Sequence, residues 1–209
     1  MKTVKLGCGF WLLWTILTLV GFGASLYWVE VGESPYLGAK AGLIGGLAIG
    51  TCQAIALRPL VPRFWVWIMI NALVWVILGI SDIGAIGWIA PRTGSLAVRL
   101  IYGLVYGSIT GLFLGGCQWV GLRMEMRQQA PALFAWLVGN GVIWSVALAV
   151  GWLVGGWLRA FSNLFLGEVL GLVMTWAIVA GLSGWWLVWC INVKSGDQAA
   201  LAISIDQNS

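Results

Sequence analysis

The 209-residue chain is 61% hydrophobic and only 9% charged, with a mean hydropathy of +0.96. Soluble domains carry roughly 25% charged residues, so the composition excludes an ordinary soluble domain and points to an all-α integral membrane protein. The net charge of +4 rests on eleven Lys and Arg residues in polar breaks and at helix ends, which is a topology signal and not a nucleic-acid footprint; the lack of His removes the commonest general base and metal ligand.

Hydropathy predicts six transmembrane helices within residues 1–191 and a polar C-terminal tail over 192–209. Lys2 and Lys5 precede the first apolar run, at about 9–29, long enough to be an uncleaved span and not a signal peptide. Beyond the polar Glu30–Pro35 break, a second span at about 38–57 carries Gly38, Gly42, Gly46 and Gly50, then Gln53 and Arg58. The turn Arg58-Pro59-Leu60-Val61-Pro62-Arg63 leads into a third span at about 64–81, with Trp67, Asn71 and Trp75 on one face. The connection from Ser81 to Ala97 holds Ile83, Ile86, Trp88 and Ile89 among glycines, and reads as an interfacial segment on the outer membrane surface, able to cap a cavity or close the gap.

A fourth span at about 98–122 repeats the second: Gly103, Gly107, Gly111 and Gly115, then Gln118 and Arg123. A fifth at about 132–155 repeats the third, with Trp136, Asn140 and Trp144. The sixth, at about 166–190, has Gly167, Gly171, Thr175, Val179 and Ser183 at the same spacing, then Trp185 and Trp186 where a Gln would stand. The first span, with Trp14, Thr18 and Phe22, matches the Trp-xxx-Asn-xxx-Trp frame. The chain therefore reads as two-helix repeat units at about 38–97 and 103–165, with a degenerate third from helices 6 and 1, related by an axis along the membrane normal. In the tail, Leu201, Ile203 and Ile205 alternate as in a strand, though a disordered end is the favoured expectation.

Glycines four apart lie along one helix stripe and let two backbones approach, so both ladders read as helix-packing surfaces. Each Gln continues its ladder's face inside the hydrocarbon, while Arg58 and Arg123 reach the interface as anchors. Gln53 and Asn71 are nearly equidistant from the turn at Pro62, and Gln118 and Asn140 are symmetric about Gln129. This predicts two amide pairs, Gln53–Asn71 and Gln118–Asn140, each contributing about 0.6 to 2 kcal/mol. The same residues are the candidates for lining a ligand site.

The positive-inside rule groups Lys2, Lys5, Arg58, Arg63, Arg123, Arg127 and Lys194 against Lys40, Arg92, Arg99 and Arg159, which places both termini in the cytoplasm. Tyr27, Trp28, Tyr36, Trp88, Trp152 and Trp157 then fall near the outer boundary, and Trp11, Trp65, Trp119, Trp185 and Trp189 near the inner one.

The string Gln118-Trp119-Val120-Gly121-Leu122-Arg123, after a glycine ladder, resembles a repeat of poorly characterised bacterial polytopic membrane proteins, frequent in cyanobacteria and Chloroflexi. Their typical reading is Gln-Trp-Leu-Val-Leu-Arg, followed by a turn and a Trp-rich helix, and similar segments look like membrane regions fused to some bacterial serine/threonine kinases. The first copy, Gln53-Ala54-Ile55-Ala56-Leu57-Arg58, departs by having Ala in place of Trp. The resemblance covers the four central helices and implies a bacterial plasma or thylakoid membrane, but no assigned activity.

Chemistry is sparse. Cys8, Cys52, Cys117 and Cys190 fall toward one membrane side at spacings that match no metal motif, so neither metal nor cofactor is expected. Glu30, Glu33, Asp82 and Glu168 lie on or near the other side, with none expected mid-membrane, which argues against proton-coupled transport. Phosphate loops, metalloprotease motifs and nucleophile elbows are absent. The sequence thus reads as a non-enzyme: a scaffold, assembly or sensory element in the bilayer, contacting a membrane-protein partner or its own copies through glycine faces left free. The alternative is a small-molecule binder, such as the substrate-binding subunit of a transporter. A pocket lined by Gln53, Asn71, Gln118 and Asn140 would favour that alternative.

Overall fold

The computed structural model describes residues 6–33, 37–125 and 130–206, with backbone alone for 130–133 and 193–206. Six helices follow in order: α1 (Cys8–Ser25), α2 (Gly38–Leu57), α3 (Phe64–Ile80), α4 (Leu96–Glu125), α5 (Ala130–Ser162) and α6 (Leu166–Asp206). All but α3 are long and apolar enough to cross a membrane. The 17 residues of α3 span about 26 Å, just under a ~30 Å hydrocarbon core. Each helix packs on the next and α6 returns to α1, so the six form a closed ring.

Local chemistry explains the boundaries. α2 stops at Leu57; Arg58 keeps helical dihedrals (φ −48°, ψ −40°), but neither Pro59 nor Pro62 has an N–H with which to continue the ladder. At the end of α5, Asn163 takes a left-handed conformation (φ 58°) and its N–H bonds the Arg159 carbonyl at 2.8 Å. The last three helices run beyond the expected spans. The segment read as a tail is helical to Asp206, and Asn192 at its start ties the chain ends together: it accepts from Leu6 N at 3.0 Å and donates to Leu6 O at 2.8 Å.

The glycine ladders face the following helix. A Cβ on Gly46 would sit 2.7 Å from the Asn71 carbonyl oxygen, and one on Gly50 would sit 2.9 Å from Asn71 Cβ. In the second copy, Cβ atoms on Gly107 and Gly115 would meet Ser145 Cα and Asn140 Cβ, each at 2.7 Å. Gly42, Gly103 and Gly111 are equally close to the backbones of Trp75, Ala149 and Asn140. Gly38 differs: its φ is +82° and no atom lies where its Cβ would point, while its carbonyl packs under Gly79. Apart from Gly38, both ladders are used within the bundle as helix-packing surfaces. In α6, Gly167 and Gly171 pack on α5, at Arg159 and at Gly151 and Gly155, and not on α1.

The middle of the Ser81–Ala97 connection does not lie on a surface. Residues 84–91 are buried, with Trp88 fully so, in the mouth of the ring opposite the Arg58–Arg63 turn, while Asp82, Arg92 and residues 94–97 are exposed. Its irregular backbone is satisfied by the helices around it: Trp176 Nε1 donates to Gly87 O at 2.9 Å and Trp152 Nε1 to Ile89 O at 3.0 Å. Trp88 Nε1 donates to Ser25 Oγ at 2.8 Å, and Gly32 bridges to the segment through Trp88 O and Ala90 N. Irregular backbone buried among helices needs its polar groups paired by the surrounding protein in this way. Trp88 and Trp152 are therefore core residues and not boundary anchors. Tyr27, Trp28, Trp65, Trp157, Trp185 and Trp189 are exposed, while Tyr36 lies outside the described residues.

Candidate functional site: a polar layer and an ionic clasp

Gln53, Asn71, Gln118 and Asn140 come together at the centre of the bundle, all at most 6% exposed. Their partners are not those expected. Gln53 accepts from Trp67 Nε1 at 3.2 Å and donates from Nε2 to Thr18 Oγ1 at 3.3 Å. Gln118 accepts from Trp136 Nε1 at 3.2 Å and donates to Asn71 Oδ1 at 3.0 Å. Asn71 and Asn140 donate to the carbonyls of Trp67 and Trp136, one turn back in their own helices, at 2.8 and 2.9 Å. Thus Gln118 bonds Asn71 of the preceding helix pair and not Asn140. The ladder brings the two backbones so close that Gly115 lies against Asn140 Cβ, and the longer Gln side chain passes inward to the next helix around.

On the α6–α1 side Ser183 takes the Gln role, accepting from Trp14 Nε1 at 2.9 Å. Trp185 is exposed, and Trp186 donates to Ala135 O of α5 at 2.9 Å, so neither stands in for a Gln. The three indoles that donate to Ser183, Gln53 and Gln118 form a triangle, Trp14 to Trp67, Trp14 to Trp136 and Trp67 to Trp136, with centroids 6.0, 6.2 and 6.4 Å apart. The predicted anchors Arg58 and Arg123 are exposed, with guanidinium groups 5.7 Å above Phe64 and 5.4 Å above Trp119.

At the mouth of the ring stands an ion pair that sequence reasoning missed. Arg99 of α4 and Glu168 of α6 are both 2% exposed. They join through two bonds, Nη2 to Oε1 at 2.6 Å and Nη1 to Oε2 at 2.8 Å. The remaining Arg99 donors go to the carbonyls of Thr93, Pro91 and Trp152. Arg159 bonds Glu33 and lies 3.4 Å from Glu168. The available signal was that Arg99 and Glu168 stand just inside two predicted spans, at one membrane boundary, with opposite charge.

Three cavities accompany these groups. The cavity at the polar layer gives a water centre about 10 Å³ of room. A cleft of about 520 Å³ at the ring mouth is lined by Glu33, Arg92, Arg99, Arg159 and Asn163, among others. A neighbouring one of about 230 Å³ reaches Asp82, Tyr102, Tyr106 and Trp152. Among the described residues the four cysteines are free thiols, and no group of three or more His, Cys, Asp or Glu side chains could hold a metal. Comparison with protein-family models, with curated proteins and with solved structures finds no match for the chain.

Proposed function

We propose that the chain is a non-enzymatic polytopic membrane protein that serves as a scaffold, assembly or sensory element through contacts with a protein partner or with its own copies. One observation carries this reading. The amides that could have lined a ligand pocket spend their bonds on one another, on Thr18 and on indoles, around a space of about 10 Å³. Small-molecule sites typically need ~300–1,000 Å³.

In the same reading the helices form three two-helix units about an axis along the membrane normal: α2 with α3, α4 with α5, and α6 with α1. The recurring indole bonds to Gln53, Gln118 and Ser183 support it. The units sit in a bacterial plasma or thylakoid membrane with both termini cytoplasmic, and belong with the repeat proteins that the Gln-Trp string resembles. With the glycine ladders internal, partner contact falls to outward apolar faces such as Leu12, Leu13, Ile16 and Val20 of α1.

Purification in mild detergent, followed by mass spectrometry of everything retained, tests the proposal. A stoichiometric protein partner or a second copy is expected. A second reading rests on the cleft of about 520 Å³, whose Arg92 and Arg159 suit a small organic anion. Retention of such an anion at about one per chain, lost in Arg92→Ala, would replace the scaffold reading with this one.

A further inference from the structure

We infer that the centre of the bundle binds one water molecule, held by the indole N–H groups of Trp75 and Trp144 beside Asn140. Among the described residues, four buried side-chain polar atoms lack a hydrogen-bond partner. Two of them, Trp75 Nε1 and Trp144 Nε1, belong to residues at most 1% exposed that line the same cavity. Leaving a buried donor unpaired is destabilising, so two in one cavity call for an acceptor. No side chain lining this cavity is charged, which disfavours an ion. Its roughly 10 Å³ is the space that one water centre needs.

A buried water typically makes about three hydrogen bonds. The two indoles supply donors to its lone pairs, and the side-chain oxygens of Asn71 and Asn140, which line the same cavity, can accept its hydrogens. The repeat explains why the space lies here. Gln53 and Gln118 reach inward from α2 and α4 and donate to Thr18 and Asn71. From α6 the corresponding residue is Ser183, too short to reach beyond Trp14. The water stands where a third Gln amide would end, next to Asn140.

The test uses the full chain in detergent micelles, deuterated and ¹⁵N-labelled at Trp, with indole peaks assigned by single Trp→Phe replacements. Dipolar transfer from water to each indole N–H is then measured. Transfer is expected at Trp75 and Trp144 and not at Trp88 or Trp176, which are equally buried but bonded to Ser25 and Gly87. Absence of transfer at both Trp75 and Trp144 overturns the inference. Ser183→Gln gives an independent readout: the new amide should displace the water and abolish transfer at both Trp75 and Trp144 while the Trp14 indole stays bonded. Persistence of the transfer in the folded variant overturns it equally.

Discussion

The centre of the ring and its mouth are held together by different chemistry. In the polar layer the closure is neutral and distributed: amides, indoles and two hydroxyls pass hydrogen bonds from helix to helix. At the mouth it is ionic and concentrated in Arg99 and Glu168, surrounded by carbonyls of the inserted segment. The neutral layer repeats a motif, so each bond costs little to lose. The ionic clasp joins segments remote in the chain, and removing one partner strands a charge.

Substitutions can break or sharpen that contrast. The largest effect is expected from Glu168→Gln, which leaves Arg99 buried without its counter-charge. It should lose about 3–5 kcal/mol in denaturant unfolding followed by helical circular dichroism. The joint replacement Arg99→Met with Glu168→Leu should recover most of that, and failure to recover would show that the clasp does more than neutralise charge. Next comes Gly111→Val, which forces a side chain into the Asn140 backbone and should cost about 1–3 kcal/mol in the same assay. Gly181→Ala, which points into open space, should be close to neutral.

In the polar layer, Gln118→Leu orphans the Trp136 indole and Asn71 Oδ1 and should cost about 0.6–2 kcal/mol. A loss as large as that of Glu168→Gln would erase the distinction between the centre and the mouth. Smallest is Arg123→Ala, which removes an exposed guanidinium stacked on Trp119 and should stay within about 0.5 kcal/mol by thermal unfolding.

Periodic features were legible in the sequence. Glycines at a spacing of four can bury only one stripe, so the ladder faces and the inward direction of Gln53 and Gln118 followed directly. The partner of each Gln did not follow, because symmetry about a turn fixes the depth of a residue and not the rotation of its helix. Gln118 reaches Asn71 because the ring closes side to side, a property of six helices together. The Ser81–Ala97 connection misled for a similar reason. An apolar, glycine-rich stretch suits a membrane surface as well as a protein interior, and only the indoles of α5 and α6 decide between them. In the sequence Arg99 reads as one more topology charge, because its counter-ion lies 69 residues away.

The segment inserted at the mouth has a consequence for how the protein is made. Residues 84–91 leave the ribosome before α4, α5 and α6, yet the carbonyls of Gly87, Ile89 and Pro91 are satisfied by Trp176, Trp152 and Arg99. Until the last helix arrives, those three carbonyls lack their partners and are better kept at the water boundary. Seating the stopper is therefore a late step of biogenesis, and a chain truncated before Trp176 is expected to leave it exposed to proteases and to quality control.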